Sequence, residues 1–182
     1  MTELKKLLAA GACVAAIVAA PAAAVAQTPR TTTGTATVYY SVTPQDLEPL
    51  LKGEGYQTKI MPLENGESVI TVDPGSKGGP KFGVFFEVCK EAGFNGRCLG
   101  MRLFALFGVD ADDMGTAGKI AADWNSRYAF GKGYTLSDSN DVALEFYAIT
   151  DEGVTREHLF DVILEFQAAA VEFEKQLRAA TN

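Results

Sequence analysis

The chain has 182 residues, 47 % of them hydrophobic and 10 % aromatic, with 16 basic and 23 acidic side chains for a formal net charge of −7. So much apolar and aromatic content is ample for a buried core and excludes an intrinsically disordered chain. The acidic balance, with no Lys/Arg cluster, argues against nucleic acid and anionic membrane surfaces, both of which are bound by neutralising charge.

The chain opens with the pattern of an export signal. Lys5 and Lys6 precede an apolar run from Leu7 to Ala20, then Pro21 and the small residues Ala22-Ala23-Ala24-Val25-Ala26. A basic start, an apolar run of this length and an Ala-x-Ala site at Ala24 and Ala26 predict a signal peptide over residues 1–26, cut between Ala26 and Gln27. A membrane anchor is the alternative, but the run is shorter than the ~20 apolar residues a span needs, and Pro21 interrupts it. A lipoprotein site at Cys13 fits less well, because Ala10 stands where a branched apolar residue is expected. Cleavage would leave 156 residues, 14 basic and 22 acidic, a charge of −8 and room for one ordinary domain. The address implied is the periplasm or the extracellular space, with no membrane span after processing.

Residues 27–42 are rich in Thr and carry no period, so they read as a flexible linker, ending in a short extended piece over 36–40. Thr43-Pro44 predicts a helix start, with Thr as N-cap, Pro at the first position and Asp46 and Glu48 in the first turn. Leu47, Leu50 and Leu51 form its apolar face, Pro49 keeps it short, and Gly53 is the expected stop. Two strands, 56–63 and 68–72, flank Glu64-Asn65-Gly66, whose Asn-Gly is a strong hairpin signal. After a Gly/Pro-rich turn over 73–80, Phe82, Val84, Phe86 and Val88 alternate on one strand, with Phe85 on its other face. Phe94-Asn95-Gly96 predicts a turn, and Leu99, Met101, Leu103, Ala105 and Phe107 return with period two. The period then changes: Ala117, Ile120, Ala121 and Trp124 make a helical stripe. Strands over 127–136 and 142–149 follow, and Gly153-Val154-Thr155 leads into a last helix. There Leu159, Ile163, Phe166, Ala170, Phe173 and Leu177 recur at helical spacing. Strands joined by short turns pair antiparallel. The order of elements predicts an α+β fold, an antiparallel sheet of five to six strands with three helices packed against it.

Two cysteines, Cys89 and Cys98, remain after cleavage and permit one pairing, which an oxidising compartment favours. Closing so short a loop contributes roughly 2–3 kcal/mol on the chain-entropy account. A redox-active pair normally uses Cys-x-x-Cys, and eight intervening residues do not match it. Two thiols and the single histidine fall short of a zinc site, so no metal or cofactor is expected.

Several segments together resemble the YbjN family of bacterial sensory transduction regulators. They are Leu50-Leu51-Lys52-Gly53-Glu54-Gly55-Tyr56, the pair Phe82-Gly83-Val84-Phe85-Phe86 and Met101-Arg102-Leu103-Phe104, then Ala122-Asp123-Trp124-Asn125-Ser126-Arg127-Tyr128, and Gly153-Val154-Thr155. The resemblance covers about residues 43–178, and a YbjN-like domain is therefore expected over 43–180. It implies a fold like that of type III secretion chaperones and a binding role, and it transfers no catalytic residue.

Each reactive group has a plainer explanation. His158 has no nucleophile or orienting acid beside it in the sequence. Asp110-Ala111-Asp112-Asp113-Met114-Gly115 looks like a calcium loop, but Met114 takes the fifth ligand position and Ala121 the twelfth. The glycines at 131–133 and 75–79 lack phosphate-cradling spacing. Trp124 and Asn125 could line a ligand groove, or be a core residue and a backbone cap. On the last helix Phe160, Leu164 and Val171 form a second apolar row, either buried against the sheet or open to a partner, including a second copy as a homodimer. The leading expectation is a non-enzymatic exported module binding a protein or peptide. The alternatives are an enzyme using carboxylates such as Asp110, Asp112 or Glu145, and a structural envelope protein tethered by its Thr-rich tail.

Overall fold

The computed structural model describes residues 37–64, 66–89 and 96–181. The proposed cleavage site at Ala26 and Gln27, residues 27–36 and most of the turn before Gly96 lie outside them.

The first helix, α1 (Pro44–Gly53), begins as its sequence dictates. The Thr43 hydroxyl accepts the Asp46 N–H at 3.2 Å, and the Asp46 carboxylate accepts the Thr43 N–H at 3.0 Å, a reciprocal capping box. The end differs from expectation. Gly53 stays helical, and the chain leaves through Gly55 at φ 86°. There the Gly55 N–H reaches the Lys52 carbonyl at 2.9 Å and the Tyr56 N–H reaches Leu51 at 3.1 Å. This is the paired bonding of a Schellman ending, which needs a left-handed residue two places further on than Gly53.

Among the described residues eight strands occur, in chain order β1 (Val38–Tyr39), β2 (Gln57–Pro62), β3 (Ser68–Asp73), β4 (Phe82–Glu87), β5 (Gly100–Gly108), β6 (Lys132–Thr135), β7 (Asp141–Ile149) and β8 (Val154–Thr155). Six form one antiparallel sheet in the order β2-β3-β4-β5-β7-β6, so β7 inserts between β5 and β6. β1 and β8 make a separate two-stranded pair. Part of the segment read as a linker therefore has a defined place, and Val42 is fully buried, its backbone bonded both ways to Cys98 at 2.8 Å.

One face of the sheet carries the core. Ile70, Val72, Phe82, Val84, Phe86, Met101, Leu103, Ala105, Phe107, Val142 and Leu144 pack against the buried stripes of α1, α2 (Met114–Arg127) and α3 (Arg156–Thr181). Every member of the α3 stripe from Leu159 to Leu177 is buried. Phe166 meets Phe82 with ring centroids 5.5 Å apart, and Phe173 meets both Phe107 at 5.4 Å and Trp124 at 5.2 Å. At 26 residues α3 runs about 39 Å, longer than the nine residues of β5 or β7 extend, so it overhangs the sheet.

The alternation of β4 stops one residue early. Val88 is 47 % exposed at φ 57°, a conformation costly for a β-branched side chain. Beyond it Cys89 and Cys98 are joined in a disulfide, Cα atoms 4.1 Å apart. The strand expected over 127–136 is shorter, because Arg127 completes α2 and pairing begins at Lys132.

Candidate functional site

Period two puts apolar side chains on both faces of β3, β4 and β5, and the helices cover only one. Among the described residues nothing covers the other face. Its cross-strand neighbours follow from the register: Lys59 lies beside Thr71, Thr71 beside Gly83, Gly83 beside Phe104; one step along, Met61, Val69, Phe85, Arg102 and Tyr147 form the next row. Between these rows the face dips into a hollow of about 790 Å³ with Met61, Val69, Phe85, Phe104 and Leu106 among its lining residues. All of its walls come from β2 to β5 and their flanking turns, and no helix contributes. Gly83 sits at its centre, where a Cβ would come within 3.0 Å of the Phe85 ring and 3.4 Å of Val69. A glycine in a strand interior weakens pairing and marks close approach by another group. Leu106 stands 47 % exposed at one side.

Charge is arranged around this hollow. The Arg102 guanidinium lies 4.6 Å from the Phe85 ring centroid and 5.4 Å from that of Phe104, while its Nε donates to Glu87 at 3.0 Å and its Nη1 lies 3.8 Å from Glu145. Glu145 also accepts from the Tyr134 hydroxyl at 2.8 Å. Burial, then this bond to a carboxylate, pushes the Tyr134 phenol up to about 12. Tyr147 is raised too, by burial and by the charge of Glu87. On the far side Lys81 pairs with Asp73 at 2.8 Å, which holds the Asp73 carboxyl below its usual range, helped by the Gly75 N–H. Lys59 is exposed in the hollow's wall, and its ammonium has no partner among the described residues.

The residues singled out from sequence take different places. Trp124 is 1 % exposed, its indole N–H donating to the Gly131 carbonyl at 3.2 Å and its ring stacked on Tyr128 at 4.0 Å. It offers no surface to a partner. Asn125 spends its whole amide on one residue: Nδ2 donates to the Gly133 carbonyl at 2.9 Å, and Oδ1 accepts the Gly133 N–H at 2.8 Å. Gly133 belongs to β6, the short strand at one end of the sheet, so Asn125 closes the backbone groups that β6 turns away from β7.

The second row of α3 is divided. Phe160 is half-buried and shares a small cleft with Leu50, Glu54, Arg156 and Glu157. Val171, 43 % exposed, lies against Gly79, and Gln167 beside it donates to the Gly78 carbonyl at 2.9 Å. Leu164 stands clear at 40 % exposure. His158 is exposed on the first turn, its N–H capped by the Thr155 hydroxyl at 3.1 Å. Asp110 and Asp112 are exposed ahead of α2, whereas Glu145 is committed on β7 to Tyr134 and Arg102. Among the described residues no three His, Cys, Asp or Glu side chains gather as a metal site would require, and no helix is long and apolar enough to cross a membrane.

Residues 43–179 match the family model of YbjN, described as "Putative bacterial sensory transduction regulator". Among solved structures, the chain is similar to that of YbjN from E. coli, described as "a putative transcription regulator", with a TM-score of 0.60 and 11 % identity over 79 % of this chain and 95 % of that one. At that identity the likeness speaks for the fold. No curated protein matches the sequence.

Proposed function

The chain belongs to the YbjN family, and on that premise we propose that it is a non-enzymatic exported module that engages a protein or peptide partner in a regulatory role. The observation that carries this reading is the open sheet face. A contiguous apolar hollow from Met61 to Leu106, rimmed by polar and charged groups, is the kind of surface that marks an interaction site on a folded domain. The reactive side chains lead the same way. The acids considered for catalysis sit on different elements, and Glu145 is held in ion-pair and hydrogen-bond contacts of its own. Export is supported by the pattern of residues 1–26 and agrees with a joined Cys89–Cys98 pair.

The test is a photo-crosslinking residue placed at Leu106 in the full chain in cells, with a second at the exposed Glu165 of α3 as control. A discrete heavier adduct from position 106 and none from 165 is the expected result. Absence of any adduct at 106 would remove the binding role from this face. An adduct of twice the chain's own mass would assign the face to a homodimer instead. For the address, N-terminal sequencing of protein recovered from the periplasm or medium should begin at Gln27, and an intact Met1 start in the cytosol would refute export.

A further inference from the structure

The open face also restricts what kind of polypeptide it can hold. Resting on the reading above, we infer that its occupant is an amphipathic α-helix of a partner protein, with an apolar stripe flanked by acidic residues. Three features of the face lead to this.

The first is backbone bonding. The floor of the hollow lies over β3, β4 and β5, each of which has a partner strand on both sides, and only its β2 rim, the end strand of the sheet, turns an unpaired row of backbone groups outward. Its floor therefore offers side chains and no free N–H or C=O groups. An extended segment laid across it would bury its own peptide groups against Val69, Phe85 and Phe104 without partners, at a cost of about 1–3 kcal/mol for each one buried. A helix brings its backbone bonds with it.

The second is shape. The hollow is one-sided, so it cannot enclose most of a small ligand's surface, as pockets for small molecules do. From β2 to β5 it spans three strand spacings, about 14 Å, and a helix with its side chains is about 10–12 Å across. The dip at Gly83 gives one bulky side chain of the stripe a seat between Phe104 and Thr71. The opposite face of the same sheet is already packed by helices in this manner.

The third is charge. Among the described residues the Lys59 ammonium has no partner, Lys81 is matched by Asp73, and Arg102 is shared between Glu87 and Glu145. Of the charged residues that line the hollow, Lys59 and Lys81 thus face a single acid, Asp73, which leaves the Lys59 ammonium unmatched on the β2 wall, while Arg102 beside the hollow is outnumbered by its two acids. An acidic residue beside the stripe would pair with Lys59, and a lysine there would be repelled.

The experiment is selection from a displayed library of 18-residue peptides, with stripe and flanking positions randomised and proline allowed, against the full chain. Enriched peptides should have helical apolar spacing with Asp or Glu beside it, and should gain helical circular dichroism on binding. Affinity should fall at least tenfold for Lys59→Glu, an exposed substitution that leaves the core alone. It should fall likewise for Gly83→Val, which raises the floor of the hollow. Enrichment of extended or proline-containing sequences would overturn the inference while leaving a binding module in place. So would peptides indifferent to both substitutions, or no enrichment at all. Failure of the Leu106 crosslink would instead remove the binding role itself.

Discussion

Replacing Asn125 by Ala tests the account of the sheet's closed end. The substitution removes two backbone hydrogen bonds, at 2.9 and 2.8 Å, and leaves both polar groups of Gly133 without a protein partner. Gly133 is buried, and the space a Cβ would take there is within 2.9 Å of the Phe173 ring and 3.3 Å of the Ala121 Cα, so β6 cannot shift inward to find other partners. Each lost bond is worth about 0.5–1.5 kcal/mol net, and an orphaned buried group costs about 1–3 kcal/mol. Asn125 itself is exposed, so water reaches part of the gap, and Ala gains up to about 0.7 kcal/mol of helix propensity. The net expectation is a loss of about 2–3 kcal/mol, or roughly 5–10 °C in Tm for a domain of this size. Urea unfolding followed by the fluorescence of the single Trp124, which sits on the same helix turn, reads it directly. Asn125→Asp keeps the acceptor for the Gly133 N–H but sets a carboxylate oxygen against the Gly133 carbonyl, so it should be no more stable than the alanine form. A loss below about 0.5 kcal/mol for Asn125→Ala, smaller than a single ordinary hydrogen bond, would refute the reasoning.

Three other outcomes follow from contacts already described. Mass measurement of the isolated protein should show two hydrogens fewer than the reduced form, and reduction should lower stability by roughly 2–3 kcal/mol. Free thiols in the isolated protein would contradict the joined pair. Tyr134 should resist ionisation in an ultraviolet titration until about pH 12, and Glu145→Gln should bring its midpoint down. Because the folded value lies above the unfolded one, the stabilisation is complete below about pH 10 and fades as pH rises toward 12. A Tyr134 midpoint near 10 would show that neither its burial nor its Glu145 contact is as described. Asp46→Ala removes the capping box of α1 together with the 2.9 Å ion pair to Arg97, and should cost about 1–2 kcal/mol in the same urea assay. A change within 0.5 kcal/mol would mean that solvent replaces the cap at no loss.

The elements most legible in the sequence were those whose period has one outcome. The α3 stripe from Leu159 to Leu177 could face only a core, and all six of its residues are buried. Thr43-Pro44 with Asp46 could form only a helix start. Where two residues could do the same work, local reading failed. Gly53 and Gly55 are both suitable stops, and the choice falls to Gly55 because Tyr56 must turn back into the core. The order of the strands was hidden as well. Short turns announce neighbours, but the bridging of β5 to β7 across α2 and β6 is a long-range choice. The candidate site was least visible of all. Phe85, Phe104 and Leu106 alternate as regularly as Val84, Leu103 and Phe107, and periodicity cannot say which of two apolar faces the helices will cover. Conversely Trp124 and Asn125, which drew notice by their side chains, spend their polar groups on the backbone of Gly131 and Gly133.

The position of α3 at the end of the described chain also bears on how the protein is made. Phe82, Phe107 and Trp124 all lie against rings that the ribosome adds only at Phe166 and Phe173. Until then the sheet's greasy interior side has only α1 and α2 to rest on, and the nascent chain stays vulnerable to sticking to others like it. Packing of these rings is therefore deferred until α3 has been made, and the segments before it are held in an unlocked state up to that point.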